Sequence, residues 1–386
     1  MSKNISKNIS KNISKNISKN ISKNISKNMQ TNLPKIIDEQ PIRIAIVGAA
    51  GYTGAELVML GANHPMMEVA ALFASERATN APRSMSQLFP RLLGVNDMPI
   101  QAASIDAIVE SGAKIIFLAT PHEVSAELAP TLLAHGLVVI DLSAAFRLRD
   151  AAAYPTHYGF THPSSHLLAN AVYGLPELNR AALEDANLIA CAGCYPTSVI
   201  LPLRPLVNSN LLNVSRPVIV DSASGVSGAG RGATTKNLFC EVSYQPYSPL
   251  QHRHQPEMRQ ETQLDILFTP HLLPLDRGIV STIHAEIAPG VDESRIRETL
   301  ATHYADEPFV RLLPSGVWSS IAAVERTNYC DISLAVDATR NHLIMASSID
   351  NLVKGAAGQA IQCMNIRLGL AHTMGLLPAN AVGVPC

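Results

Sequence analysis

Cys194 stands in the run Ile189-Ala-Cys191-Ala-Gly193-Cys194-Tyr-Pro196-Thr. Pro196 fits the first position of a helix, and residues 197–206 read as its apolar continuation, interrupted by Pro202. This places Cys194 just outside a helix start, where free N–H groups and the positive dipole end favour a thiolate. Gly193 removes a side chain and leaves a substrate room to approach the sulfur. A nucleophilic cysteine is what acyl transfer needs. Cys191 makes the pair a C-x-x-C, so a redox couple, half a zinc site and a simply buried thiol are the competing readings. The chain has no second C-x-x-C, its nearby histidines complete no familiar metal spacing, and no metal is expected.

A thiol of this kind has to be positioned by a fold, and residues 41 onward suggest which one. Residues 43–47 are a short apolar, β-rich run ending at Gly48-Ala-Ala-Gly51-Tyr52-Thr53-Gly54, and residues 55–60 have helix composition. Strand, glycine turn and helix in that order form the phosphate cradle of a dinucleotide fold. The spacing is G-x-x-G-x-x-G rather than the commoner G-x-G-x-x-G, so the motif draws its weight from its context. A second strand, 67–73, runs into Ser75-Glu-Arg77, where Ser75 and Arg77 suit a 2′-phosphate and favour NADP(H) over NAD. Strands at 115–119, ending in Thr-Pro121-His, and at 138–142, leading into Phe146-Arg147, alternate with helical stretches such as 124–134. The pattern predicts a parallel sheet with helices on both faces, which puts Pro121 and Arg147 near the cofactor mouth.

Farther along, residues 218–221, 264–269, 279–287 and 331–336 are strand-like, with a helix at 293–303. They predict a mixed sheet in a second, α+β domain. Residues 351–370 read as one long helix. The expected division is a repeat tract and linker at 1–40, a Rossmann-type domain at 41–193 and 350–386, and a catalytic and oligomerisation domain at 194–349.

Composition excludes several classes. Residues 2–28 are seven copies of Ser-Lys-Asn, the first six each followed by Ile, holding seven of the 30 basic residues and none of the 31 acidic ones. The rest carries 23 basic against 31 acidic residues, a net charge of −8 that argues against a nucleic-acid partner. A four-residue period drifts about 40° per repeat around a helix, and Lys recurs at i, i+4, so the tract is expected to be disordered. No run of 18 apolar residues exists to span a membrane. The front tract has no apolar segment of signal-peptide type, and six scattered cysteines read as reduced thiols, so the chain is expected to be cytoplasmic. At 47% apolar and 16% charged, it has ample core and a surface lightly charged enough for subunit burial.

Seven motifs occur in order: the 48–54 turn, Asp141-Leu-Ser-Ala-Ala-Phe-Arg147, Gly193-Cys-Tyr-Pro-Thr197, Ser224-Gly-Val-Ser227-Gly228-Ala-Gly-Arg231, His252-Arg-His254-Gln-Pro-Glu257, Phe268-Thr-Pro-His271 and Asn351-Leu-Val-Lys-Gly-Ala-Ala-Gly-Gln359. Together, over about residues 41–378, they resemble the N-acetyl-γ-glutamyl-phosphate reductases of arginine biosynthesis, within the aspartate-semialdehyde dehydrogenase-like group. The resemblance implies reversible NADPH-dependent reduction of a small acyl phosphate, with Cys194 carrying a thioester. Cys191-Ala192 replaces the Asn-Pro of many relatives and sets a second thiol near the nucleophile. The alternatives are a reductase of a related aspartyl or aminoadipyl phosphate and, from a different class, an inactive cofactor-binding regulatory protein.

Such chemistry needs a proton carrier and anion-binding groups. On a strand, residues i and i+2 share a face, so His252 and His254 are expected to point into one site, His254 as the acid/base and His252 on the substrate. His271 and His284 read as packing groups. Planar guanidinium forks suit a carboxylate and a phosphate, and the expected substrate contacts are Arg147 and Arg231, with Arg253 and Arg277 behind them. The 224–230 loop, through Ser227 and Gly228, is expected at the nicotinamide or the leaving phosphate, and Asn351 at the nicotinamide. The resemblance also implies a homodimer or homotetramer joined through the mixed sheet.

Overall fold

The computed structural model describes residues 40–75 and 84–377. The Ser-Lys-Asn tract, Arg77 and the last nine residues lie outside the described residues, together with what was expected of them.

Seven strands build the first sheet: β1 (Ile42–Val47), β2 (Met67–Ala74), β3 (Ile100–Ala102), β4 (Ile115–Leu118), β5 (Val138–Asp141), β6 (Val172–Gly174) and β7 (Leu188–Cys191). Their order is β3-β2-β1-β4-β5-β7-β6, and every pairing is parallel. Strands covered on both faces read as continuous apolar runs, and β4, β5 and β7 are buried at every position. The order reverses at β1 and β4, so a crevice opens beyond their carboxyl ends. Helix α1 (Tyr52–Ala62) follows β1 directly, and α2 (His122–Ala134) follows β4. Helix α3 (Pro176–Leu183) joins β6 to β7.

Helix α4 (Cys194–Asn208) starts three residues after β7, at the carboxyl edge of the first sheet. Its body nevertheless belongs to a second core, where Val199, Ile200 and Leu203 pack with Phe268, Ile283 and Met345. Cys194 thus sits where the two domains meet. Contrary to the sequence reading, Pro202 does not interrupt this helix, nor does Pro205. Buried packing around residues 195–206 outweighs the lost backbone bonds.

The second sheet contains β8 (Val218–Gly225), β9 (Gln245–Pro246), β10 (Ile266–Leu273), β11 (Ile279–Glu286), β12 (Val310–Leu312), β13 (Cys330–Asp337) and β14 (His342–Ile349). It is mixed, in the order β12-β13-β14-β11-β8-β10-β9, with β8–β10 and β12–β13 parallel and the other pairs antiparallel. Buried and half-buried residues alternate along β10 and β11. One face packs under α4, α5 (Gln255–Thr262) and α6 (Glu293–His303). The opposite face carries half-buried Thr269, Thr282, His284 and Ile344.

After β14 the chain returns to the first core. Residues 351–370 are not one regular helix: Val353–Ala357 forms a π turn, and α7 (Gly358–Arg367) follows, with Ile361 and Met364 in the nucleotide-domain core. A buried clamp ties the two domains. Arg277 donates to Glu56 of α1 at 3.1 Å and to Asp350 at 3.2 Å. Its guanidinium is thereby removed from the anion-binding role expected of it. No helix among the described residues is long and apolar enough to cross a membrane.

Candidate active site

The glycine turn after β1 is enforced by sterics. Gly48 has φ +95°, and a Cβ there would lie 2.2 Å from the Ala119 carbonyl oxygen on the neighbouring strand end. A Cβ on Gly54 would meet the Gly48 oxygen at 2.4 Å, so this third glycine serves close turn-to-helix packing. Gly51, Tyr52 and Thr53 then open α1 and line a cavity of about 340 Å³ with Thr120, Pro121, Ser143, Arg147, Cys194, Ser227, Gly228 and Asn351. Helix N-terminus, bare backbone and volume fit a dinucleotide. Ser75 is exposed at the end of β2.

Asn351 is buried with both ends of its amide engaged: Nδ2 donates to Ser227 Oγ at 3.0 Å, and Oδ1 accepts from the Gly278 N–H at 2.6 Å. It therefore joins the glycine-rich loop to the π turn.

Cys194 is the first residue of α4 rather than the residue before it, and Gly193 is the cap. Helix position alone would lower the thiol, and burial works against it. Burial pushes the Cys194 thiol up, Glu257 adds to the rise, and the Tyr195 N–H with Arg147 and Arg253 offsets only part of it. The sulfur needs a base. His252 and His254 do not lie on a strand: they occupy a turn, and His254 is the N-terminal cap of α5. The turn still brings the rings to 4.9 Å between centroids, with the His254 N–H donating to His252 Nδ1. A Cβ on Gly193 would lie 2.9 Å from His254 Nε2, which places this nitrogen beside the nucleophile's own backbone. Burial, then His252, Arg147 and Arg253, holds the His254 pKa well below its ordinary value. Burial and Arg253 bring His252 down to about 4. Both rings are therefore neutral near pH 7. Buried His254 Nδ1 has no hydrogen-bond partner among the described residues.

The arginines divide differently from expectation. Arg147 is buried, with Nε donating to the Cys191 carbonyl at 2.7 Å and Nη2 to the Leu142 carbonyl at 2.9 Å. It braces the segment leading to Cys194, and only Nη1 faces Glu257, at 3.6 Å. Arg231 lies against the nucleotide side, donating to Ala50 O at 3.3 Å and stacking 4.9 Å over Phe89. Arg253 is exposed and lines both this cavity and its neighbour. Its backbone is fixed by the Tyr158 hydroxyl at 3.1 Å, while its guanidinium has no hydrogen bond or ion pair among the described residues.

That neighbouring cavity, about 580 Å³, shares Cys194, Gly228, Ala229, Arg253 and His254 with the first. Its far wall is Tyr195, Pro246, Tyr247, His252 and Leu272. The Tyr195 and Tyr247 hydroxyls are 3.1 Å apart. The sequence reading missed these tyrosines and also Glu257. Buried Glu257 accepts from the Gly193 N–H at 2.8 Å and the Tyr173 hydroxyl at 2.7 Å. Its position three residues after His254 was the available signal, since i and i+3 share a helix face. Cys191 is a free thiol buried in the nucleotide-domain core, so it makes no disulfide with Cys194. The described residues contain no cluster of metal ligands.

A glycine-built dinucleotide cradle opening on a half-buried cysteine defines a semialdehyde-dehydrogenase-type protein. The corresponding family models match here: "Semialdehyde dehydrogenase, NAD binding domain" over residues 43–186 and "Semialdehyde dehydrogenase, dimerisation domain" over 194–351. Two solved structures share the fold: aspartate semialdehyde dehydrogenase II of Vibrio cholerae (TM-score 0.63, 18% identity, 85% of this chain and 98% of that one) and the Candida albicans enzyme with NADP (0.64, 15%, 85% and 98%). The sequence is more specific. It is 47% identical to the N-acetyl-gamma-glutamyl-phosphate reductase of Escherichia coli O157:H7 over 86% of this chain and 98% of the relative. It is 46% identical to that of Moritella profunda over 87% and 100%. The chain belongs to the N-acetyl-γ-glutamyl-phosphate reductase family.

Proposed function

We propose that this protein reduces N-acetyl-γ-glutamyl phosphate to N-acetylglutamate 5-semialdehyde and phosphate, reversibly and with NADPH, through a thioester on Cys194 in arginine biosynthesis. The carrying observation is that Cys194 lines both cavities at once, with His254 and Arg253 on the same shared wall. The 580 Å³ cavity suits the acyl chain, its Tyr247–Leu272 wall suiting the N-acetyl group and Arg253 an anion.

The thiol gives its proton to neutral His254 as the sulfur attacks the acyl carbon, and phosphate leaves with the bonding pair of the broken C–O bond. The Cys194 N–H, left free among the described residues at the start of α4, stabilises the charge on the carbonyl oxygen. NADPH, when bound, supplies a hydride to the thioester carbon. His254 then protonates the resulting alkoxide and takes the proton back as the C–S bond breaks, releasing aldehyde. Gly48, Gly51, Tyr52, Thr53, Gly54, Pro121, Ser227, Gly228 and Asn351 would hold the cofactor, with Ser75 and Arg77 at its 2′-phosphate.

We further assign a homodimer or homotetramer through the open face of the mixed sheet, no nucleic-acid partner, and a cytoplasmic location. The "dimerisation domain" match supports the first, and the five free described cysteines suit a reducing compartment. The test is NADP+ reduction with N-acetylglutamate semialdehyde and phosphate, beside NAD+, aspartate semialdehyde and Cys194→Ala. Turnover that ignores phosphate, or that survives in Cys194→Ala, contradicts the reading.

A further inference from the structure

Lys354 has no part in this chemistry, yet its side chain is wholly buried and its ammonium lies 2.5 Å from Glu177 Oε1 of α3 and 3.0 Å from Gln362 Oε1. An ion pair at that depth costs desolvation that an apolar pair would avoid, so its directionality calls for a reason. Burial works to raise the Glu177 carboxyl, and Lys354 together with Gln362 and a backbone hydrogen bond outweighs it, leaving the carboxyl below its ordinary range. Lys354 stands in the π turn, whose i→i+5 bonds run from Gly355 N–H to Asp350 O and from Ala357 N–H to Leu352 O, both at 2.9 Å. Such turns are rarer and less stable than α-helix and need outside support.

The turn's next residue touches the nucleophile. A Cβ on Gly355 would be 2.7 Å from Cys194 Cβ, so bare backbone covers the cysteine there. A second tie acts on the same turn: Gln359 Nε2 donates to the Lys354 carbonyl at 3.2 Å and to Thr197 Oγ1 at 3.0 Å. Thr197 Oγ1 in turn donates to the Gly193 carbonyl at 2.9 Å. The chain of contacts runs from the buried ion pair to the residue that precedes the nucleophile.

We propose that Lys354, anchored by Glu177, is a positioning residue that presses the Gly355 backbone over Cys194 and so sets both the orientation and the dryness of the thiol. Water that enters when this cover loosens favours the thiolate. Lys354→Met therefore yields a more readily ionised cysteine in a slower enzyme. The proposal rests on Cys194 being the nucleophile, and the wild-type assay and Cys194→Ala test that point separately.

The experiment is the pH profile of Cys194 alkylation by iodoacetamide in the full-length protein, read by mass spectrometry of its peptide, beside steady-state kinetics. In Lys354→Met the alkylation midpoint is expected to move down by about half a unit or more. Over the same variant kcat falls about tenfold or more with KM within about threefold. Lys354→Met with Glu177→Met removes both charges and serves if the single variant does not fold; the same shift is expected. An unchanged alkylation midpoint, with or without loss of activity, overturns the proposal. So does a fall of alkylation rate, kcat and melting temperature in step.

Discussion

The two walls of the site are built by different means. On the nucleotide side, the cradle is backbone: Gly48 and Gly54 are excluded from bearing side chains by atoms 2.2 and 2.4 Å away, and no charge is needed. On the thiol side, Cys194 is set by buried polar side chains, with Glu257 on the Gly193 N–H, Arg147 on the Cys191 carbonyl and His254 beside Gly193. The first wall is specified by shape and the second by electrostatics. Each should fail in its own way.

The largest separation is expected from Cys194→Ala: turnover falls by about 10⁴ or more, while NADP+ binding by fluorescence titration stays within about twofold. Equal losses of both would erase the distinction. Gly48→Val attacks the other wall, combining a forbidden φ with a clash against backbone. It is expected to cost about 3 kcal/mol or more in chemical unfolding and to abolish cofactor binding, with no route through the pH dependence of the thiol. Glu257→Gln should do the reverse. Burial does most to hold the thiol up and Glu257 adds a smaller share, so the alkylation midpoint of Cys194 drops slightly, kcat falls about tenfold, and cofactor affinity is unchanged.

The smallest effect concerns stability. His252 and His254 have folded pKa values below their ordinary ones, so as pH falls below about 6.5 the unfolded chain takes up protons first. Their stabilising contribution is complete above that pH and is lost as pH falls, for His252 toward pH 4. Thermal denaturation should show a decline on the order of 2 kcal/mol from His252 between those limits, smaller in His252→Gln. A cradle variant that removed this dependence would contradict the assignment of the two walls.

What could be read from the sequence follows the same division. A glycine turn after a strand is local: its demands fall on residues at fixed offsets, so 48–54 declared itself, as did the cysteine beside a helix start. Eight strands were legible from apolar runs, most with ends within a residue, but β8 and β10 run up to four residues farther than read, and β3, β6, β7, β9, β12 and β14 were not read at all. The partners of Cys194 were less so, because Arg147, Tyr173 and Glu257 come from separate segments, Tyr173 and Glu257 alone lying 84 positions apart, and meet only through the fold. Arg147, Arg231 and Arg277 were read as anion contacts by residue type alone. Two carboxylates claim Arg277 instead, whereas Arg147, bonded to carbonyls, and Arg231, over a phenyl ring, still line the cavity that holds Cys194. The π turn was invisible for a related reason: its extra residue is held by Lys354–Glu177, a contact spanning 177 positions, while local composition reads as ordinary helix.

Acylation of the sulfur is the step on which the rest depends. The direct measurement is intact and peptide mass spectrometry of the enzyme mixed with N-acetyl-γ-glutamyl phosphate and no reduced cofactor, with released phosphate counted in parallel. One N-acetylglutamyl group on the Cys194 peptide, labile to hydroxylamine and matched by one phosphate per site, is the expected result. Unmodified Cys194 alongside a competent reductase, or an acyl group on another residue, would contradict it.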